Sequence, residues 1–135
     1  MELPCVLPSY QIAVSGLQAA SLRLEAAAGN IANAGSVSSQ PSNAAAGPAA
    51  PAPYQPVAVD TSTLPGGGVA ATLRKVSPGF ETAISGQASG PAVDLATEVT
   101  NMQMAKFDFM ANAQVLKATD EMVKRLFEMM DDHAS

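Results

Sequence analysis

Residues that could do chemistry are few in this chain and are scattered along it. His133 is the single histidine and follows Asp131 and Asp132. A zinc site would need a second histidine or another such ligand. Nucleophilic catalysis would need a serine or cysteine paired with histidine. The sequence supports neither pattern. We therefore interpret His133 as a solvated residue and expect no catalytic residue, metal ion or cofactor.

Three further features resemble parts of known sites. Gly66–Gly68 lacks the Lys-Ser/Thr of a phosphate loop and the spacing of a dinucleotide fingerprint, so it predicts a turn. Asp120 and Glu121 are adjacent in sequence, so their side chains diverge on a helix and do not form a carboxylate pair. Cys5 is the only cysteine, which excludes an internal disulfide and leaves a cross-link between chains or an unpaired thiol. An enzyme is consequently the least favoured class of protein.

Composition narrows the remaining classes. The chain has 135 residues and is 47% hydrophobic but only 4% aromatic, and alanine inflates the first figure, so a conventional core would be thin. The net charge of −5 and the absence of a basic run argue against a nucleic-acid partner. No apolar run reaches the ~20 residues of a transmembrane helix. The first residues lack the features of a cleaved secretory signal, so we expect any export to use another route.

The C-terminal stretch Val93–Met130 contains neither proline nor glycine and predicts one helix roughly 55 Å long. Two apolar stripes run along it. The first stripe has one member every three or four residues, interrupted by two charges: Leu95, Val99, Met102, Lys106, Phe109, Ala113, Leu116, Asp120, Val123, Phe127 and Met130. The second stripe is apolar throughout: Met104, Phe107, Ala111, Val115, Ala118, Met122, Leu126 and Met129.

The two stripes lie roughly 150° apart on a helical wheel, so one partner helix cannot cover both and several neighbours are implied. The first stripe is assigned to the N-terminal helix as a working hypothesis, and the second to other subunits. Asn101 and Asn112 fall between the stripes and either fix register or bond locally. The methionines of this helix suit either an adaptable binding surface or ordinary packing.

A second helix is predicted from Ser9, as N-cap, to Asn33, with Gly35 as its stop signal. Its stripe has one member every three or four residues, with Ser21 the one polar member: Tyr10, Val14, Leu17, Ser21, Leu24, Ala28 and Ile31. Residues 1–8 contain Pro4 and Pro8 and are expected to be extended or disordered.

The middle of the chain is rich in turn-forming residues. Residues 35–56 predict a flexible linker, because they offer little apolar surface to bury. Residues 54–76 carry signals for one hairpin that turns at Pro65–Gly68, and residues 77–91 return to loop chemistry. Asp94 is placed to cap the long helix. The expected fold is mainly α, an antiparallel coiled-coil-like pair of terminal helices, with units 1–34, 35–92 and 93–135.

Two stretches resemble one known family. Ser15-Gly16-Leu17-Gln18-Ala19 followed by Asn30-Ile31-Ala32-Asn33-Ala34-Gly35-Ser36 is similar to the N-terminal signature of the bacterial flagellar rod and hook family. Val93-Asp94-Leu95, Glu98–Met102 and Phe109–Lys117 are similar to its C-terminal helix. The matches cover about half the chain, at both ends.

The resemblance implies a structural subunit, exported by the flagellar type III apparatus without a cleaved signal. It also implies polymerisation with copies of itself and with other rod proteins into a periplasmic rod that transmits torque. The alternative is another helical subunit or adaptor of a flagellar or secretion apparatus. The residues assigned to the assembly interface are Val14, Leu17, Leu24, Asn30, Ile31, Asn33, Val99, Met102, Met104, Phe107, Phe109, Asn112, Val115, Leu116, Met122, Val123, Leu126 and Phe127.

Overall fold

The computed structural model describes residues 6–35, 54–76 and 93–132. In chain order these form helix α1, two strands and helix α2. Their bounds are Val6–Ala32 for α1, Val57–Thr63 for β1, Val69–Lys75 for β2 and Leu95–Asp132 for α2. The predicted mainly helical fold with one small hairpin is confirmed. Residues 36–53 of the predicted linker at 35–56 and the whole predicted loop at 77–91 lie outside the described residues.

Helix α1 begins earlier than the sequence predicted. It starts at Val6, so Pro8 lies inside the first turn and Ser9 is not the N-cap. Proline is tolerated there because the first amide groups of a helix have no helical acceptor to lose. The end was predicted closely: the backbone amide of Asn33 donates to Gly29 O at 3.1 Å, and its side-chain amide donates to the same oxygen at 2.8 Å.

Helix α2 begins at the residue that the sequence identified as its cap. The carboxylate of Asp94 accepts a hydrogen bond from the backbone amide of Ala96 at 3.0 Å and one from the hydroxyl of Thr97 at 2.7 Å. These bonds lower the pKa of Asp94, because they stabilise the charged carboxylate. From there the helix runs unbroken for 38 residues. The confirmed cap therefore fixes where the long helix starts.

The hairpin forms where the turn residues predicted it. Strands β1 and β2 pair antiparallel, from Val57 opposite Lys75 to Thr63 opposite Val69. The backbone amide of Leu64 donates to Gly68 O across the loop at 3.1 Å. Gly67 and Gly68 both have positive φ, near 85° and 87°, which residues with a side chain rarely adopt. The loop thus depends on the glycine run.

The hairpin is covered on one face by α1, which crosses it diagonally. At the loop end, the hydroxyl of Ser15 accepts from the backbone amide of Val69 at 3.1 Å and donates to Ile12 O at 2.7 Å. Gly68 approaches Ser15 so closely that a Cβ there would collide with the hydroxyl oxygen. At the open end, α1 contacts β1 through Asn30. A hairpin that is marginal alone is therefore held by a helix.

Helices α1 and α2 pack antiparallel, as predicted. Contacts join Gly16 to Asn112, Arg23 to Asp108 and Asn30 to Glu98, so residue numbers fall along one helix as they rise along the other. By this alignment the N-terminal end of α1, at Val6, lies opposite the residues around Met122. About ten residues of α2, or ~15 Å, extend beyond that end. No described helix combines the length and the hydropathy needed to cross a bilayer.

Candidate assembly surfaces

The interior of the described structure consists of small residues. Apart from Pro56, its buried apolar residues are all alanines, between 1% and 6% exposed: Ala13, Ala19, Ala20, Ala26, Ala27 and Ala105. Alanine side chains allow helix axes to approach closely but remove little apolar surface from water. Most of the large apolar side chains must therefore find burial elsewhere, or remain in water.

The contact between the helices runs along a line that we call the seam. On α1 it follows a spacing of three and four residues through Ala13, Gly16, Ala20, Arg23, Ala27 and Asn30, and on α2 it passes through Glu98, Ala105, Asp108 and Asn112. A Cβ placed on Gly16 would lie 2.5 Å from the Oδ1 of Asn112. The amide of Asn112 is held in turn by Asp108 O at 2.8 Å. Glycine is thus required for this close approach.

The seam lies between the two stripes of α2, which corrects the hypothesis that the first stripe covers α1. Ala105 and Asn112 belong to neither stripe, yet they face α1. In the first stripe Met102, Leu116 and Val123 are half-buried at the seam's edge. The physical reason is size: the axes approach along the small residues, and the large side chains splay to both sides.

Asn30 is the polar centre of the fold. It is 1% exposed, and both donors and both acceptor positions of its amide are used. The Nδ2 donates to Val57 O at 2.8 Å and to the Oε1 of Glu98 at 2.9 Å. The Oδ1 accepts from the backbone amide of Val57 and from the hydroxyl of Tyr54, both at 2.9 Å. One side chain therefore joins α1, β1 and α2.

Tyr54 completes this network. Burial raises the pKa of its hydroxyl, and the negative charge of Glu98 raises it further. The phenol is thereby kept neutral, in the protonated form that can donate to Asn30. The Asn30–Asn33 motif was the sequence feature that marked Asn30 as important. Nothing in this motif indicated Tyr54 or Glu98 as its hydrogen-bond partners.

Arg23 makes a second junction between the same three elements. Its guanidinium donates to the Oδ2 of Asp108 on α2 at 2.8 Å and to the hydroxyl of Thr61 on β1 at 3.4 Å. Both charged side chains are more than a third exposed, so the ion pair adds orientation more than stability. Sequence reasoning missed Arg23, since it stands alone on an otherwise small-residue face.

The predicted interface residues fall into two groups. Asn30 lies inside the chain, and Asn112 faces Gly16 in the seam. Val14, Leu17, Ile31 and Asn33 are half-buried on α1, and Leu24 is exposed. The large side chains on α2 that stay exposed belong to both stripes: Val99, Met104, Phe107, Phe109, Val115, Met122 and Phe127. The structure thus brings the asparagines into the fold and leaves the stripes open, while the interface assignment stays a prediction.

A groove runs along one side of the seam, where the first stripe flanks α1. Its volume is about 740 Å³, and its apolar lining includes Leu24, Met102, Phe109 and Met110. Glu25 lies on the α1 side and Lys106 on the α2 side. The second stripe lies on the other side of α2, towards the hairpin, where Met104 lines a smaller cavity together with Val57. The molecule therefore offers two separate apolar surfaces.

The described residues contain no group of His, Cys, Asp and Glu that could hold a metal ion. His133 and Cys5, the two residues discussed for such chemistry, lie outside the described residues. What the described structure presents is a pair of helices with exposed apolar side chains.

Helix α2 matches a known family in its sequence. Residues 84–129 match the family model described as the flagellar basal body rod FlgEFG protein C-terminal, and this match covers α2 from its first residue to Met129. Residues 84–129, about a third of the chain, are similar to the C-terminal segment of the flagellar basal-body rod family. A search of the curated proteins found no match to the chain.

This similarity supports a structural role in the flagellar rod and a location in the flagellar basal body. Proteins of the matched family are structural components of the rod and not enzymes. The similarity therefore favours assembly with other rod proteins. The matched segment contains the stretches Glu98–Met102 and Phe109–Lys117, on which the C-terminal resemblance rested. The N-terminal signature, Asn30–Ser36, lies outside the matched residues.

Proposed function

We propose that this protein polymerises through its terminal helices, with copies of itself and with other rod proteins, and transmits motor torque across the periplasm. The observation that carries the proposal is the distribution of side-chain size. The seam is made of small and polar residues, while Phe107, Phe109 and Phe127 remain exposed on α2. Exposed apolar patches of this extent are typical of interaction surfaces.

Stiffness is the property that torque transfer requires. A helix of 38 residues that is anchored over its first part to α1 is a suitable building unit. Covering its two stripes with neighbouring helices would place the large side chains in a core shared between subunits. The family match supports the rod as the place of this assembly.

The finer parts of the proposal come from the resemblance. They are export by the flagellar type III apparatus without a cleaved signal and a position in the proximal rod. The Pro91–Asp94 junction is most similar to that of the proximal-rod protein FlgC. Deletion of the gene should then leave cells that have the export ring but lack a rod.

One substitution on each apolar surface tests polymerisation. We expect Phe109→Asp in the first stripe and Leu126→Asp in the second to abolish motility and rod assembly, because each buries a carboxylate in the subunit contact. Gln114→Asp is the matched control, since Gln114 is exposed on the same helix and outside both stripes. Rods in isolated basal bodies, swimming halos and protein levels would be measured. Motile cells with complete rods that carry both substitutions would refute the proposal.

A further inference from the structure

The end of α2 that extends past α1 has a composition different from the rest of the helix. We call Met122–Asp132 the distal segment. On a helical wheel of about 100° per residue its apolar side chains share one sector of about 160°. These are Met122, Val123, Leu126, Phe127, Met129 and Met130. Val123 and Leu126 are half-buried, whereas Met122, Phe127, Met129 and Met130 are exposed. The distal segment is therefore an amphipathic helix end whose apolar sector is largely uncovered by the described residues.

The groove beside the seam matches this segment in length. It extends from Ala20 to Ala28 along α1 and from Met102 to Met110 along α2. Each stretch rises about 12 Å, as does the helix from Met122 to Met130. An amphipathic helix laid into an apolar groove of two helices is a common mode of recognition.

The charges at the borders of the two surfaces are complementary. Arg125 and Asp131 are the polar residues nearest to the two edges of the distal segment's apolar sector. The groove has Glu25 on its α1 rim and Lys106 on its α2 rim. One orientation of the segment therefore sets Arg125 against Glu25 and Asp131 against Lys106. The opposite orientation would pair like charges on both rims.

The two surfaces cannot meet within one molecule. Phe109 in the groove and Phe127 in the distal segment lie on one continuous helix, about 27 Å apart. The partner that has the required helix end is therefore another copy of this chain.

We propose that the distal segment of one subunit binds in the groove of the next subunit of the same protein. This inference rests on the proposed polymerisation and specifies one of its contacts. The contact joins two different surfaces, so repetition gives an open assembly with a direction. Each contact involves about two helical turns of the distal segment. The surface that it buries is therefore smaller than the ~800 Å² per partner of a standard interface, so a single contact is weak.

Cysteine pairing between two purified full-length chains tests the contact. Both carry Cys5→Ser, and one also carries Leu24→Cys while the other carries Phe127→Cys. After mild oxidation at rising protein concentration, we expect a disulfide-linked heterodimer in the mixture. Replacing the second chain by one with Glu128→Cys, on the polar side of the distal segment, should reduce its yield several-fold. Equal yields with both partners would overturn the proposal, as would a chain that remains monomeric into the millimolar range.

A charge exchange tests the orientation. Glu25→Arg alone and Arg125→Glu alone should each lower the cross-linking yield several-fold, and the chain carrying both should recover it. Failure of the double exchange to recover would overturn the pairing of these residues. Phe127→Cys chains that link mainly to each other would show a contact between two distal segments. Protection of Leu24→Cys from alkylation in the monomer would show that the groove is filled by the chain's own residues. Either result overturns the inference, whereas complete rods in the same strains would leave the proposed function standing.

Discussion

The seam and the stripes both include residues of α2, and they contrast in side-chain size, polarity and exposure to solvent. The seam contains alanine, glycine and hydrogen-bonded polar groups, and its alanines and Asn30 are buried. The stripes contain phenylalanine, methionine, leucine and valine, and much of their surface is exposed. In a globular domain the large apolar residues would be the buried ones. The difference teaches that this chain uses specific contacts to set its shape and leaves most of its large apolar side chains outside its own core.

The strongest way to break this contrast is to remove the polar centre of the seam. Asn30→Ala should lower the free energy of unfolding by about 3 kcal/mol, because it leaves several half-buried groups of Val57, Tyr54 and Glu98 without this partner. Urea denaturation followed by circular dichroism would measure the change. Asn101→Ala is the control, since Asn101 is exposed, and an equal loss there would contradict a special role for Asn30.

The close approach of the helices gives the next largest effect. Gly16→Ala should cost about 1–3 kcal/mol, because the new methyl group would meet the side chain of Asn112 at 2.5 Å. Combining it with Asn112→Ala should restore much of that loss, and the double-mutant cycle should give a coupling of about 1 kcal/mol or more. Additive effects of the two substitutions would show that the seam can widen freely.

The sequence predicted the elements well because their signals are local. The absence of proline and glycine marked α2, Asp94 marked its start, and the glycine run at 66–68 marked the turn of the hairpin. The start of α1 was missed because the two prolines suggested an extended segment, whereas Pro8 fits a first turn.

The seam could not be read from the sequence in the same way. A helical wheel weights positions by hydrophobicity, so Phe109 and Phe107 defined the stripes and Ala105 between them went unnoticed. Which line of a helix meets its partner depends on how closely the axes can approach, and this is a property of two surfaces together. The partners of Asn30 are distant in sequence, so the motif alone could not name them.

Tyr54 allows the polar centre to be weakened by pH instead of by truncation. Its folded-state pKa is raised by burial and by Glu98, so its contribution to stability is present below the ordinary pKa of about 10 and is lost as the pH rises through the folded-state value. Tyr54→Phe should cost about 1 kcal/mol at neutral pH and make the decline at alkaline pH shallower. Tyr10→Phe, at an exposed site, should leave the decline as it is, and an equal change in both variants would contradict this account.

The smallest effect on folding should come from the largest exposed side chain of the second stripe. Phe107 is 66% exposed, so Phe107→Gln should alter the free energy of unfolding by no more than about 0.5 kcal/mol. The same glutamine placed two residues away, in Ala105→Gln, enters the buried seam and should destabilise the chain markedly. Sedimentation of the two variants would separate folding from association. Phe107→Gln should fold normally and self-associate less, because the proposed polymerisation places its ring in a contact between subunits. If it destabilised the monomer as much as Ala105→Gln does, the stripes would belong to the fold and the contrast with the seam would fail.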